Sequence, residues 1–406
     1  MRWLIALVFL LQIPLAGAPF SSIFSPADQT TPVITSHEPE SKFGEQITFK
    51  ARVEPFQEMK ELVVFITPEG QPTVWQRIDL DQGSEQGEFS QTVRARQLAL
   101  FPFSRVAYRF EATMNDGEII SSEPKTFTYD DDRYKWQNMQ AGPFDIFWNS
   151  GEPTLGQDIA NIAQQGLERG LGILPVESPE KLRIYAYTSA HDLQTALQLT
   201  NQPWVAGHAT PQLSMVMISV PTGPEKNLEL RRQVPHEIMH ILQYQVMGKS
   251  FNQQPVWLVE GMASLAELTV NPEYRTVLKA TEPQQILPFR SLCIMFPREA
   301  ASAFQAYAQS ESFVGFLQQK FGSDGLMRLI EKYNSGVGCE EGVASAFGFS
   351  LNQLQSSWEQ ETLGINAGGL AFTNLLPYLL LALLILLPAV LAFVRLNKSE
   401  PAEDAL

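Results

Sequence analysis

Cysteine and histidine are scarce in this chain of 406 residues: it has two of the first and five of the second. Cys293 and Cys339 are too few for a disulfide-dense scaffold or a four-thiolate zinc module, and neither stands in a Cys-x-x-Cys pair. Outside a cell the two can pair and tie together parts of the later half of the chain; two buried free thiols are the alternative. Basic residues are few as well, 29 Lys and Arg against 44 Asp and Glu, for a net charge of −15. That balance argues against nucleic acid as a partner and against electrostatic docking on an anionic membrane surface, and leaves a solvated acidic exterior. Internal repeats and long low-complexity tracts are absent.

Charge itself is missing from two stretches. Residues 3–12 form an apolar run behind the single charge of Arg2, and Leu15-Ala16-Gly17-Ala18 follows. This is the layout of a secretory signal over residues 1–18, although cleavage after Ala18 would leave Pro19 first, which signal peptidase disfavours; an uncleaved anchor is the alternative. Leu375 to Val394 is a second charge-free run, long enough at helical rise to cross a bilayer. Pro377 and Pro388 are tolerated in such a helix, and Arg395 and Lys398 behind it place the 395–406 tail in the cytoplasm by the positive-inside tendency. The chain is therefore expected to be a single-pass cell-membrane protein with an extracytoplasmic ectodomain; a buried core helix is the competing reading of 375–394.

Residues 19–36, rich in Ser, Pro and Thr, read as a linker. From 37 to 132 the apolar period is two: Ile47, Phe49, Ala51 and Val53 alternate with polar neighbours, as do Tyr108, Phe110, Ala112 and Met114. Asn115-Asp116-Gly117 marks a tight turn. Short strands at this spacing predict a β-sandwich of immunoglobulin or fibronectin type. The texture changes after Asp130-Asp131-Asp132. Phe144–Trp148, Leu182–Tyr187 and Met215–Val220 are strand-like, while Ile159, Ile162, Leu167 and Leu171 mark a helix. Helix dominates from Leu228 onward, so residues 137–365 read as an α+β domain.

The chemistry is concentrated in Pro235-His236-Glu237-Ile238-Met239-His240. Residues i and i+4 share a helix face, so His236 and His240 can aim two imidazoles at one ion, with Glu237 at its edge to hold a water. Glu260 lies in the apolar stretch Pro255-Val256-Trp257-Leu258-Val259-Glu260-Gly261, where a buried carboxylate needs a cationic partner. Two histidines and one glutamate make an open, catalytic zinc set rather than a closed structural one, and such a zinc ion activates water for hydrolysis.

His-Glu-Ile-Met-His followed by Trp-Leu-Val-Glu-Gly resembles the gluzincin zinc metallopeptidases, which include thermolysin and the zinc aminopeptidases. Residues 142–334 are closest to the peptidase MA-like domain of bacterial exported proteins. Phe144–Trp148, Arg183–Tyr187, Trp204–His208 and Ala306–Val314 carry the weaker parts of that likeness. The resemblance implies a zincin-like fold and a peptide or protein substrate. It implies His236, His240 and Glu260 as zinc ligands, Glu237 as general base and Tyr307 as donor to the tetrahedral oxyanion. It further implies Met215–Val220 as the edge strand on which an extended substrate lies. Val259 departs from the Asn that thermolysin and many aminopeptidases carry before the glutamate. Ser264 stands where thermolysin has an Asp supporting a zinc-bound His; Glu267 is a candidate replacement. No Gly-x-Met-Glu-Asn signature supports aminopeptidase specificity.

Each residue has a blander reading. Tyr307, Trp204 and Trp257 at helical spacing serve as ordinary core, and His37, His191 and His208 as surface histidines. The competing function is a non-catalytic surface scaffold that retains a zincin domain, against which the intact Glu237 speaks; zinc-dependent hydrolysis of an ester or a non-peptide amide is a third possibility.

Overall fold

The computed structural model describes residues 32–83, 86–198, 206–269, 271–365 and 367–397. The signal at 1–18, the linker up to 31, Trp204 and the tail beyond 397 lie outside them. The first part is built of β1 (Val33–Ser36), β2 (Glu40–Lys42), β3 (Gln46–Glu54), β4 (Met59–Pro68), β5 (Val74–Ile78), β6 (Glu88–Arg94), β7 (Arg105–Met114), β8 (Ile119–Ser121) and β9 (Lys125–Thr128). Strand pairing thus begins at Val33, inside the stretch read as linker. In one sheet β1 and β2 run along one side of β3 and β6 along the other; the second has the order β5-β4-β7, with β8 and β9 both on the free side of β7. Every pairing is antiparallel. The period-two residues Ile47, Phe49, Ala51, Val53, Phe110 and Ala112 are fully buried between the sheets, as alternation on a half-covered strand requires. Gly117, at positive φ, closes the turn between β7 and β8.

The second part opens on another sheet, from β10 (Gln137–Ala141), β11 (Phe144–Trp148), β12 (Leu182–Tyr187), β13 (Gly207–Thr210) and β14 (Met215–Ser219), in the order β10-β11-β12-β14-β13. β11, β12 and β14 are mutually parallel, and β13 returns antiparallel on β14. The helices are α1 (Leu155–Ile173), α2 (Ala190–Ala196), α3 (Lys226–Met247), α4 (Val256–Ala266), α5 (Pro272–Ala280), α6 (Ala300–Asn334, broken at Gly322), α7 (Cys339–Phe347), α8 (Leu351–Glu361) and α9 (Ala367–Asn397).

Both faces of this sheet are covered. Ile146, Trp148, Ile184 and Ile218 pack under the helices, while Tyr185, Tyr187, Met215 and Met217 join the core of the first part. Phe103 stacks on Tyr185 at 3.7 Å between ring centroids. Asp131, fully buried, accepts two bonds from the Arg133 guanidinium and one from the Tyr187 hydroxyl, at 2.6–2.9 Å. The acidic run that marks the change of texture is therefore a pin between the two parts, and this charge is buried with its partners in place.

Double coverage also corrects one expectation. Met215–Ser219 is buried at every position because β14 is interior, hydrogen-bonded to β12 on one side and β13 on the other. The edge strand is β13. A continuous apolar run signals a strand covered on both faces and does not tell an edge from a centre.

Cys293 and Cys339 are joined in a disulfide, which resolves the alternative left open by their spacing. In α9, Leu375–Val394 is exposed throughout, so it is not a core helix; it is long and apolar enough to cross a membrane.

Candidate metal centre

The centre is built on α3, which carries Pro235 in its interior. Proline has no N–H to donate, so the Arg231 carbonyl four residues earlier loses its helical partner. The Leu268 N–H, just beyond α4, donates to that carbonyl at 2.9 Å. On its other side the Pro235 ring lies against Gly166 of α1, where a Cβ would come within 2.9 Å of it. The gap in the helix is therefore filled by the segment that holds Glu267.

Helical spacing brings the His236 and His240 rings to 5.1 Å between centroids. Each ring is held through Nδ1. The Gln243 side-chain N–H donates to the Val259 carbonyl at 2.8 Å, which turns its oxygen to His240 Nδ1 at 2.9 Å. A proton on Nδ1 completes that bond. His236 Nδ1 donates to Glu267 at 3.3 Å. Both Nε2 atoms thereby face the same point, 3.5 and 4.0 Å from one Glu260 oxygen. All three ligand atoms lie within 4.8 Å of one another and could hold a metal ion. A tetrahedral zinc ion needs such atoms about 3.3 Å apart, given bonds of roughly 2.0–2.1 Å. The two His–Glu260 separations exceed that by about 0.2 and 0.7 Å, and no pair of ligand atoms exceeds it by more than about 1.5 Å, so the donor set fits after a modest closure.

Glu260 and Glu267 are seven residues apart, two turns along one face, so α4 and its cap grip His236 from both sides. Ser264, between them, is buried and turns its hydroxyl to Tyr274, not to either histidine. The N-terminus of α4 is placed by the disulfide loop: the Val256 N–H donates to the Cys293 carbonyl at 3.0 Å.

Electrostatics follow from this packing. Burial alone would depress His236, yet hydrogen bonds to Glu260 and Glu267 and the charge of Glu237 push it up to about 10. Burial likewise pushes Glu260 up, but the His236 bond and the charge of His240 hold it below the ordinary carboxylate value. Glu237 goes the other way: burial raises it, against the pull of His240 and His236. Its carboxylate accepts from the Ala209 N–H on the open side of β13. Gly207 lets the strand pass this close, since a Cβ there would meet Glu237 Oε1 at 2.5 Å. Tyr307 of α6 donates to Glu260, whose charge, together with burial, lifts the phenol well above its usual range. Its ring stands edge-on to Phe296 at 4.9 Å. A cleft of about 480 Å³ opens beside His236 and Glu237, walled by Tyr274, Phe304 and Tyr307, with Arg232 at its polar end.

The arrangement brings together all five residues singled out in the sequence: His236, Glu237, His240, Glu260 and Tyr307. A family model described as "Peptidase MA superfamily" matches residues 162–364, half of the chain. The chain belongs to the peptidase MA superfamily. No curated protein matches it. Among solved structures, this peptidase MA chain is similar to an M1 zinc metallopeptidase from Deinococcus radiodurans at 12% identity and a TM-score of 0.34, over 78% of this chain and 90% of that one. An aminopeptidase N family protein from Idiomarina loihiensis matches at 12% identity and TM-score 0.33, over 81% and 58%. A family 56 carbohydrate-binding module, a β-1,3-glucan binding domain, matches at 14% identity and TM-score 0.18, over 23% and 98%. The family match, and not these loose likenesses, carries the assignment.

Sequence reasoning missed Gln243 and the true edge strand. A glutamine three residues after a ligand histidine lies on the same helix face, and that spacing was the available signal. His208 sits half-buried on β13; burial and the charge of His240 depress it.

Proposed function

We propose that this chain is a zinc-dependent metallopeptidase of gluzincin type, anchored by α9 and acting outside the membrane, with the first two sheets forming an immunoglobulin- or fibronectin-like module. The observation that carries the reading is the pair of committed Nδ1 atoms: both imidazoles present Nε2 to one carboxylate oxygen. His236, His240 and Glu260 would hold the ion. When bound, zinc supplies Lewis acidity toward a carbonyl and lowers the pKa of a water.

The chain's own residues do the rest. An extended peptide pairs with the open edge of β13, which sets its carbonyl beside Glu237. Glu237, raised by burial, takes the proton of the attacking water and hands it to the departing nitrogen. Tyr307 stays protonated and turns its hydroxyl from Glu260 to the oxyanion as charge develops there. The walls of the cleft limit water around these groups.

Full-length protein loaded with zinc, assayed on a peptide library beside Glu237→Gln, tests the reading. Cleavage by the wild type alone, with equal zinc content in both, is the expected result. Equal zinc and no cleavage by either protein would leave a zinc-binding scaffold and end the enzymatic reading.

A further inference from the structure

A second pocket, of about 590 Å³, lies between α5 and α6, on the far side of Tyr274 from the cleft's histidine and shared with the cleft only through that residue. Leu265, Leu278, Phe316 and Leu363 line one part of it, and Glu311, Ser312 and Gln319 add polar groups. Arg275 and Lys279 stand at its rim. They are four residues apart on α5, hence on one side of that helix, and both are exposed. Neither makes a salt bridge among the described residues, although the charge of Arg275 reaches Glu311 in the same pocket. The space exists partly because position 315 of α6 is glycine: a Cβ there would touch only Leu265 Cδ1, at 3.6 Å.

The position of the pocket along the chain says what can reach it. Ile365 is part of its lining, α9 begins at Ala367, and the apolar span begins at Leu375. Two extended residues and eight of helix measure at most about 20 Å. The headgroup layer adds roughly 5–7 Å outside the hydrocarbon. If α9 crosses a membrane, this pocket is tethered within about 20 Å of the hydrocarbon, with two exposed cations at its rim and an apolar side to its interior.

We propose that the pocket between α5 and α6 holds one phospholipid of the membrane that α9 enters. Arg275 and Lys279 bind its phosphate, and part of an acyl chain lies against Leu278, Phe316 and Leu363. The proposal rests on the membrane reading of α9. It needs no attraction between the acidic chain and an anionic surface, because the two cations act locally on the phosphate, at a site with its own apolar volume.

The test uses full-length protein in vesicles of phosphatidylglycerol doped with the same lipid carrying a photoreactive acyl chain. After vesicle flotation, cross-linked residues are mapped by mass spectrometry. Cross-links on pocket residues are expected. Replacing Arg275 or Lys279 by alanine should weaken them about fivefold per cation. Gly315→Leu, which fills the pocket and favours helix, should abolish them while thermal unfolding and the cross-links on α9 stay as in the wild type. Protein that floats with cross-links on α9 alone overturns the pocket and spares the membrane reading. Protein that does not float overturns both. Protection of the pocket by the chain's own 366–374 segment, seen as protein–protein cross-links, also overturns the proposal.

Discussion

Glu267 offers the sharpest test of how the metal centre is held. Replacing it by alanine removes the acceptor 3.3 Å from His236 Nδ1 and one of the carboxylates that raise this imidazole to about 10. The two losses act in opposite directions on zinc binding. Without its outer partner the ring is less well oriented, a loss of about 10–100-fold in affinity, or roughly 1.4–2.8 kcal/mol. At pH 7.5, however, zinc must also displace a proton from His236 in the wild type. At about 1.36 kcal/mol per pH unit, that competition is on the order of 3 kcal/mol. The variant has a lower His236 pKa and so less competition. Zinc affinity of the wild type should therefore climb about tenfold per pH unit until pH approaches 10, and the variant should level off earlier. The gap between them should widen with pH and reach its full size only near pH 10. Chelator competition at several pH values reads this directly, with Ser264→Ala as control because its hydroxyl bonds neither histidine nor Glu267. A gap independent of pH, or an equal loss in Ser264→Ala, would refute the reasoning. The same ion pairs bear on the metal-free fold. His236 is raised when folded, so its contribution is complete below about pH 6.5 and is lost as pH rises through about 10.

Three further outcomes follow from named contacts. Gly207→Ala should displace the Glu237 carboxylate, cutting turnover while calorimetric zinc stoichiometry stays at one; unchanged turnover would show that the strand gives way instead. Tyr307→Phe should lower kcat about 10²–10³-fold with little change in KM, measured on any cleaved peptide. Replacing Cys293 and Cys339 together by serine opens a loop with a sequence separation of 46 and should cost about 4 kcal/mol in urea unfolding; a loss below 1 kcal/mol would mean the loop is already held by its packing.

Much of the centre was legible because it is local. His236, Glu237 and His240 share one helix, and the i, i+4 relation sets two rings on one face whatever surrounds them. Glu260 was legible for a different reason, since a carboxylate in Trp-Leu-Val-Glu-Gly-Met-Ala demands a partner. The period-two runs of the first part announced their strands equally well, because alternation reports burial on one side. Gln243 and Glu267 were harder: a buried amide or carboxylate shows its partner only when the partner's position is known.

What the sequence determined by itself is the chemistry of the ligands, the helix that presents two of them, the paired sheets before them and an apolar helix after them. Each rests on a periodicity or a composition within a short window. The tertiary structure alone decided that β13, not β14, forms the open edge, that the disulfide is made, and that Asp131 joins the two parts. It also decided that Leu268 closes the gap left by Pro235. Those facts depend on which segments meet across tens of residues, and apolar pattern records how deeply a residue is buried without recording what lies against it.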